Sequence, residues 1–211
     1  MTRTSGGRIT AKGTRTRLRI VAAAAALMAE HGVAGTTLEH VREAGGVSSS
    51  QIYHYFADKQ ALIRAVIEHQ NDTVVGGQQP LLAQLDTLAG LRAWRDAIVE
   101  LQRRRQCRGG CPIGSLGSEL AELDPQARAD IADGFHRWEA GIRDGYRAMH
   151  RRGELATHAN PDRLATATLA ALQGGLLLTQ IRRDTEPLEA ALDIVLDHVG
   201  SLTVPPGPTD R

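Results

Sequence analysis

The chain has 211 residues, a formal net charge of +1, and 42% hydrophobic and 23% charged residues, which is typical of a folded globular protein and excludes a disordered or fibrous one. Aromatic residues make up only 3%, so Leu, Ile, Val and Ala must form the core, and this composition predicts an all-α fold. The longest apolar run, residues 20–29, is shorter than the ~18 residues that cross a bilayer, and no signal peptide is recognisable. We therefore expect a cytoplasmic protein without a membrane partner.

Charge is divided unevenly along the chain. Residues 1–69 hold nine basic and five acidic residues, whereas residues 70–211 hold sixteen and nineteen. The first nineteen residues carry six Arg or Lys side chains and no acidic one. A basic segment of this kind favours contact with a polyanion, although a solvated tail has the same composition. The charge therefore indicates nucleic acid only if a binding motif lies beside it.

Hydrophobic residues spaced three and four apart predict helices throughout, and no strand pattern or internal repeat is present. Three helix starts are predicted by a proline that follows Asp124, Asn160 or Glu186, because proline is favoured at the first helical position. We expect nine helices, over approximately residues 14–31, 38–44, 48–56, 58–69, 88–105, 115–123, 125–152, 161–183 and 187–203.

Residues 37–59 have the layout of a helix-turn-helix, a short helix and a second helix joined by a glycine-containing turn. In this motif the second helix lies in the DNA major groove, and its first side chains face base edges. Ser48 is the predicted N-cap of that helix, and Ser49, Ser50 and Gln51 follow it. Serine can bond several base edges and glutamine can bond adenine through both amide groups. The pattern therefore predicts a DNA-binding helix.

Aromatic residues are concentrated in the same helix, where three of the seven in the chain occupy four positions. Tyr53, His54 and Tyr55 can pack against a duplex and donate to phosphate oxygens, while Phe56 is predicted to lie in the core. Lys59 follows one turn later at a helix N-terminus, which also favours phosphate. The alternative is that the two tyrosines only close a small helical core.

Residues 16–68 closely resemble the DNA-binding domain of TetR-type transcriptional regulators. The resemblance is carried by TTL at 36–38, AGGVS at 44–48, IYHYF at 52–56 and the lysine at 59. One departure is the Gly-Gly pair at 45–46, where the family more often has Ala-Gly. Transferred by position, the family's DNA contacts fall on Thr37, Ser49, Ser50, Gln51, Tyr53, His54, Tyr55 and Lys59.

The resemblance implies a protein of nine or ten helices, in which three N-terminal helices bind DNA and the others bind a ligand and dimerise. It divides the chain into a flexible basic arm (1–13), a helix-turn-helix domain (14–68), a helical ligand-binding and dimerisation domain (69–204) and a tail (205–211). The implied function is a ligand-responsive repressor that a small lipophilic effector releases from a palindromic operator in double-stranded DNA. The same resemblance implies no cofactor, no catalytic residue and a bacterial, nucleoid-associated location.

The last two predicted helices carry apolar stripes that could pair with their copies in a four-helix bundle. Intramolecular packing would use the same residues, so the stripes alone leave both possibilities open. The residues assigned to a homodimer interface are Leu164, Thr168, Ala171, Gly175, Leu178, Leu188, Leu192, Val195 and Val199.

A ligand pocket is expected in the second half, where four of the seven aromatic residues lie. The segment GCPIGSLGSEL at 110–120 is similar to a TetR subgroup that responds to multidrug compounds, quinones and electrophiles. A stripe at helical spacing is also what a core helix shows, so each assignment has a core alternative. The candidate pocket residues are Trp94, Cys111, Leu116, Trp138, Ile142, Tyr146 and Gln173.

Cys107 and Cys111 lie in an arginine-rich segment, which would lower the pKa of a thiol and raise its reactivity. A thiol-based redox or electrophile sensor is therefore an alternative function. Another is an all-α enzyme with Cys111 as nucleophile, although no histidine in that loop could serve as its base. A third is an architectural DNA-binding protein without a ligand, whose binding would be salt-sensitive but not sequence-selective. Zinc is not expected, because the spacing completes no four-ligand site.

Overall fold

The computed structural model describes residues 10–204, and these form ten α-helices and one π-helical turn. The all-α fold predicted from composition is confirmed. The helices are α1 (Ala11–Gly35), α2 (Leu38–Gly45), α3 (Ser49–Tyr55), α4 (Lys59–Asn71), α5 (Gln79–Leu82), α6 (Leu88–Arg104), α7 (Pro112–Leu120), α8 (Pro125–Arg151), α9 (Pro161–Arg182) and α10 (Glu186–Ser201).

Side-chain caps explain where most of these helices begin. The Thr37 hydroxyl accepts a hydrogen bond from the His40 backbone amide, which starts α2. The Asp58 carboxylate accepts one from the Ala61 amide at 2.7 Å, which starts α4. Each cap satisfies a backbone N–H that the first helical turn leaves without an internal partner. Asp124 and Asn160 cap α8 and α9 in the same way, each before a proline, as the sequence predicts.

Three starts or turns differ from the sequence prediction. Helix α7 begins at Pro112 rather than at residue 115, because Cys111 takes the N-cap position and its sulfur accepts from the Gly114 amide. Asp72–Gly76 forms the π-turn, and α5 follows it in a segment for which no helix was predicted. Helix α1 begins at Ala11, so the last three residues of the predicted arm are helical. Residues 1–9 of that arm and the predicted tail 205–211 lie outside the described residues.

The first three helices pack around a small aliphatic core, and α4 connects them to the second half. Ile20 and Val41 are fully buried there, and Ile52 of α3 and Phe56, which directly follows α3, are almost so. Helix α4 packs against α1 on one side and α8 on the other. The predicted domain boundary at residue 68 therefore falls inside a continuous helix that both halves share.

The second half is a layered helical bundle in which α9 packs between α8 and α10, and α6 packs against α10. By length and composition alone α1 and α9 could cross a membrane, but residues of both helices pack into the protein core. The Arg95 guanidinium joins α6 to α10 through hydrogen bonds to the Asp193 carboxylate at 2.7 and 2.9 Å. The Glu189 carboxylate of α10 accepts a hydrogen bond from the Arg103 guanidinium of α6 at 2.8 Å, which strengthens the contact between these two helices.

Candidate DNA-binding surface and ligand cavities

Helix α3 presents a polar face to solvent and an apolar face to the core. Ser49, Ser50 and His54 are exposed, and Tyr53 is 62% exposed although it is a large aromatic residue. The opposite face holds Ile52, which is buried. An exposed tyrosine among serines on a short helix suits a surface that contacts a polar partner.

Gln51 is exposed, but its amide oxygen already has a partner. It accepts a hydrogen bond from the Ser48 backbone amide at 2.9 Å, while the Ser48 hydroxyl accepts from the Gln51 amide at 3.2 Å. This reciprocal pair is a capping box that fixes the start of α3. A contact of Gln51 with adenine through both amide groups would therefore require the box to open.

The remaining candidate contacts lie at the C-terminal end of α3, at the start of α4 and at the start of α2. Tyr55 is half-buried, and its ring meets the His54 ring edge-on at a centroid distance of 4.9 Å. Lys59 is half-buried in the first turn of α4, and Thr37 is exposed at the start of α2. The Arg17 guanidinium lies 5.5 Å from the centre of the Phe56 ring. Arg17 of α1 thus contacts the residue that anchors α3.

Two contacts connect this surface to the second half. The Glu119 carboxylate of α7 accepts a hydrogen bond from the Val33 backbone amide at 2.7 Å, directly after the kink that α1 makes at Gly32. Gly32 precedes that amide at φ +72°, and a Cβ there would lie 2.9 Å from the carboxylate oxygen. Only glycine suits both the backbone and the space. In α4, the Asn71 side-chain amide donates to the Asp130 carbonyl of α8 at 3.2 Å.

A cavity of about 350 Å³, here called the inner cavity, lies between the π-turn, α6, α7, α8 and α9. Its lining includes Thr73 and Val74 of the π-turn, Gln102 of α6 and Trp138 of α8. Cys111 also lines it, at the start of α7. The inner cavity therefore contacts the segment that follows α4 directly.

A second and more open cavity of about 700 Å³, here called the outer cavity, lies between α7, α8 and α9. It is lined largely by small and apolar residues, among them Ile131 and Phe135. Gln173 and Cys111 supply polar atoms, so Cys111 borders both cavities. Of the seven predicted pocket residues, the structure brings Cys111 and Trp138 to the inner cavity and Cys111 and Gln173 to the outer one.

Four predicted pocket residues, Trp94, Leu116, Ile142 and Tyr146, line neither cavity and pack in the core instead. Their side chains are buried because the apolar face of each helix extends beyond the cavity into the interhelical contacts. Trp94 is connected to the inner cavity only through Gln78. Its indole N–H donates to the Gln78 side-chain oxygen at 2.9 Å, and Gln78 lines that cavity. Sequence reasoning missed Gln78 and Gln102, which lack any aromatic or charged signal.

The cysteine environment also differs from the expectation. Cys107 and Cys111 are both buried, and neither forms a disulfide. Burial raises the pKa of the Cys111 thiol, and the hydrogen bonds from Gly114, Ile113 and Gln173 oppose that shift only in part. The predicted lowering of a thiol pKa by arginines is therefore wrong for Cys111. Within residues 10–204 no group of three His, Cys, Asp or Glu side chains is arranged to hold a metal ion.

The predicted dimer stripe requires the largest correction. Most of its side chains are buried within a single chain, because α9 and α10 turn these faces towards each other and the core. A Cβ at Gly175 would lie 2.8 Å from Leu188 Cα, so this glycine permits close packing inside one chain. The buried members of the stripe are Leu164, Thr168, Gly175, Leu188, Leu192 and Val199.

The remaining members of that stripe keep some exposure. Ala171 and Val195 are half-buried, and Leu178 is 42% exposed. Two isoleucines are also exposed, Ile181 of α9 at 68% and Ile194 of α10 at 72%. Exposed apolar side chains thus remain on both α9 and α10, and most of them are not members of the predicted stripe.

Comparison with known proteins agrees with this architecture. The family model described as "Tetracyclin repressor-like, C-terminal domain" matches residues 87–195, which is more than half of the chain. The model described as "Bacterial regulatory proteins, tetR family" matches residues 20–66.

Similar proteins include the transcriptional regulator AcuR of Cereibacter sphaeroides, 28% identical over 77% of this chain and 75% of that protein. The transcriptional repressor DhaR of a Mycobacterium species is 24% identical over 87% of this chain and 92% of that protein. The crystal structure of a TetR transcriptional regulator from Chloroflexus aurantiacus has a TM-score of 0.79 and 27% identity, and covers 92% of this chain and 98% of that one.

Regulators of this family bind operator DNA and act as dimers, and the family consists of transcriptional regulators rather than enzymes. The helix-turn-helix surface, the ligand cavities and the two matched family models lead to one conclusion. The chain belongs to the TetR family and is a ligand-responsive DNA-binding transcriptional regulator.

Proposed function

We propose that this regulator is a repressor that binds a palindromic operator as a homodimer and leaves it when a small lipophilic effector enters the inner cavity. The observation that carries the proposal is the contact of that cavity with the π-turn at the end of α4. Helix α4 begins next to the DNA-binding helix α3, so one helix joins the cavity to the DNA surface. A ligand acts through such a helix only if it binds better to one of its two positions.

The DNA surface consists of Thr37, Ser49, Ser50, Gln51, Tyr53, His54, Tyr55 and Lys59. Support for this assignment comes from exposure: the serines, Tyr53 and His54 face solvent, whereas Ile52 and Phe56 are held in the core. In a dimer two such helices would enter successive major grooves about 34 Å apart. We further propose a cytoplasmic, nucleoid-associated location, since TetR-type regulators are soluble cytoplasmic proteins.

The test is operator binding by the full chain, measured by fluorescence anisotropy on the DNA upstream of its own gene. Replacing Tyr53 or Lys59 by alanine should each weaken binding at least about tenfold, because one phosphate contact and its positioning are lost. Leu123→Ala is the matched control, since Leu123 is 80% exposed and lies beyond the end of α7, outside the proposed surface. Unchanged affinity of both variants would contradict the assignment of this surface.

The dimer face is proposed to be the exposed apolar side of α9 and α10, which includes Leu178, Ile181 and Ile194. These side chains are 42–72% exposed in one chain, whereas core residues of the same helices are buried. Gly174 lies in α9 with no atom within 4 Å of the position of an added Cβ, which leaves room for a partner backbone. Large exposed apolar patches mark association sites.

A further inference from the structure

Two residues that line the inner cavity each carry a buried side-chain polar atom without a hydrogen-bond partner among the described residues. The Gln102 side-chain oxygen and the Trp138 indole nitrogen each have no hydrogen-bond partner among residues 10–204. Both residues line this cavity, and Gln102 is only 3% exposed and Trp138 only 2%. One atom is an acceptor and the other a donor.

Unpaired polar atoms of this kind are rare in folded proteins, and each requires an explanation. The neighbouring Gln78 shows the usual situation, because its oxygen accepts from Trp94 and its nitrogen donates to the Val74 carbonyl at 3.0 Å. Gln78 lines the same cavity and is fully paired on both sides of its amide. A glutamine that lines this cavity can therefore pair both its oxygen and its nitrogen within the protein, which Gln102 does not do for its oxygen.

Charge around the cavity restricts the ligand further. The described residues that line it include Arg104 and Arg105 at the end of α6 but no Asp or Glu. Both arginines are exposed, and Arg104 lies 3.7 Å from the Glu100 carboxylate. A cationic ligand would find no counter-charge, and burying an unpaired charge is costly. An anion would satisfy Trp138 but would repel the Gln102 oxygen.

We propose, on the basis of the function proposed above, that the effector is a small uncharged molecule with an apolar body and one hydroxyl or primary amide group. That group accepts from the Trp138 indole N–H and donates to the Gln102 oxygen. The remaining lining, which includes Leu172 and Leu176, contacts the apolar body. The volume of about 350 Å³ is near the lower end of ligand sites, which are ~300–1,000 Å³, so the molecule is small.

The test compares four probes of nearly equal size by titration calorimetry with the full chain: 2-phenylethanol, propylbenzene, phenylacetate and 2-phenylethylamine. The alcohol should bind at least about fivefold more tightly than propylbenzene and than either ion. Failure of the alcohol to bind, or equal or tighter binding of any other probe, would overturn the proposal.

Two substitutions locate the preference. Trp138→Phe keeps an aromatic ring and removes the donor, and Gln102→Leu removes the acceptor. Each should abolish most of the preference for the alcohol while propylbenzene binds as before or more tightly. Tyr146→Phe is the matched control, because it removes a buried hydroxyl that bonds Thr168 and lines neither cavity. A preference that both cavity variants retain would overturn the proposal.

The melting temperature without ligand separates this role from a structural one. Gln102→Leu removes an unpaired buried atom, so the melting temperature of this variant should equal or exceed that of the wild type. Operator release is measured separately by anisotropy. If the alcohol binds with the expected preference but the operator stays bound, the ligand chemistry stands and the proposed regulatory role fails.

Discussion

The phenol of Tyr146 lies fully buried in α8, and its oxygen is 2.9 Å from the Thr168 hydroxyl. Burial disfavours the phenolate and raises the pKa of Tyr146 from its ordinary value of 10.0 to about 12, against the opposing effect of the Thr168 hydrogen bond. The neutral side chain is thus part of the folded state. The sequence predicted a ligand contact here, but the structure uses the residue to join α8 to α9.

This shift predicts a loss of stability in alkali. In the unfolded chain the phenol titrates near 10.0 and in the folded chain near 12. Its contribution is therefore complete below pH 10 and is lost as the pH rises towards 12. Urea denaturation of the wild type and of Tyr146→Phe should show the wild type losing free energy of unfolding faster across this interval. A constant difference between the two proteins from about pH 9 to about pH 12 would contradict this assignment.

The role of a residue could be predicted from the sequence where its near neighbours along the chain determine that role. Ser48 was predicted as the N-cap of α3 from its small hydroxyl, and the structure confirms it; the Gln51 side chain completes a capping box there. Trp94 and Ile142 show the limit, because an apolar residue on a helix face carries no mark that distinguishes core from cavity. Gln102 was missed for the opposite reason: its importance depends on the absence of a partner, which only the packed structure reveals.

Besides α4, helix α7 offers a second connection between the cavities and the DNA-binding half. Cys111 at its beginning borders both cavities, and Glu119 near its end holds the backbone amide of Val33 in the DNA-binding half. The helix spans only Pro112–Leu120, so these two contacts lie at opposite ends of a short rigid element. We therefore expect a displacement at one end of α7 to move the other end.

Glu119→Ala should leave the Val33 amide unpaired and lower the free energy of unfolding by about 1–3 kcal/mol. Operator affinity should fall by up to about tenfold, since the kink near the end of α1 loses its anchor. Glu119→Gln should restore much of both, because its amide oxygen can accept the same hydrogen bond. Denaturant titration and operator anisotropy measure the two effects, with Glu122→Ala, an exposed neighbour beyond α7, as control. Equal behaviour of Glu119→Ala and the control would show that the contact has no such role.

Helix boundaries were predicted best where a cap precedes a proline, as at Asn160, because both residues act within one turn. The face of α9 was predicted poorly. This helix has apolar residues on nearly every side, including buried Leu172 and exposed Ile181, so spacing could not identify which side meets its own chain. The π-turn was missed because a wider hydrogen-bond pattern leaves no composition signal.

For the whole molecule, association is predicted to depend on the exposed side of α9 and α10. Ile181→Asp and Ile194→Asp should each convert the dimer to monomer at micromolar concentration, because a carboxylate would be buried in an apolar contact. Sedimentation velocity measures the change, and operator affinity should fall with it. Leu123→Asp introduces the same charge at a residue that is 80% exposed elsewhere, and it should remain dimeric. Dimers that persist in both isoleucine variants would place the interface on another surface.

The π-turn at Asp72–Gly76 has a consequence for how this regulator can diversify. Two of its five residues, Thr73 and Val74, line the inner cavity. The five residues together determine the rotation about the helix axis at which the chain continues after α4. A return to α-helical bonding would rotate everything after it by about one residue, ~100°. Substitutions that adapt this side of the cavity to a new effector can therefore also change the rotation of the chain that follows α4. We therefore expect substitutions in the π-turn to change ligand preference and the strength of the response together. Substitutions of Gln102 and Trp138, which lie on other helices, should change ligand preference alone.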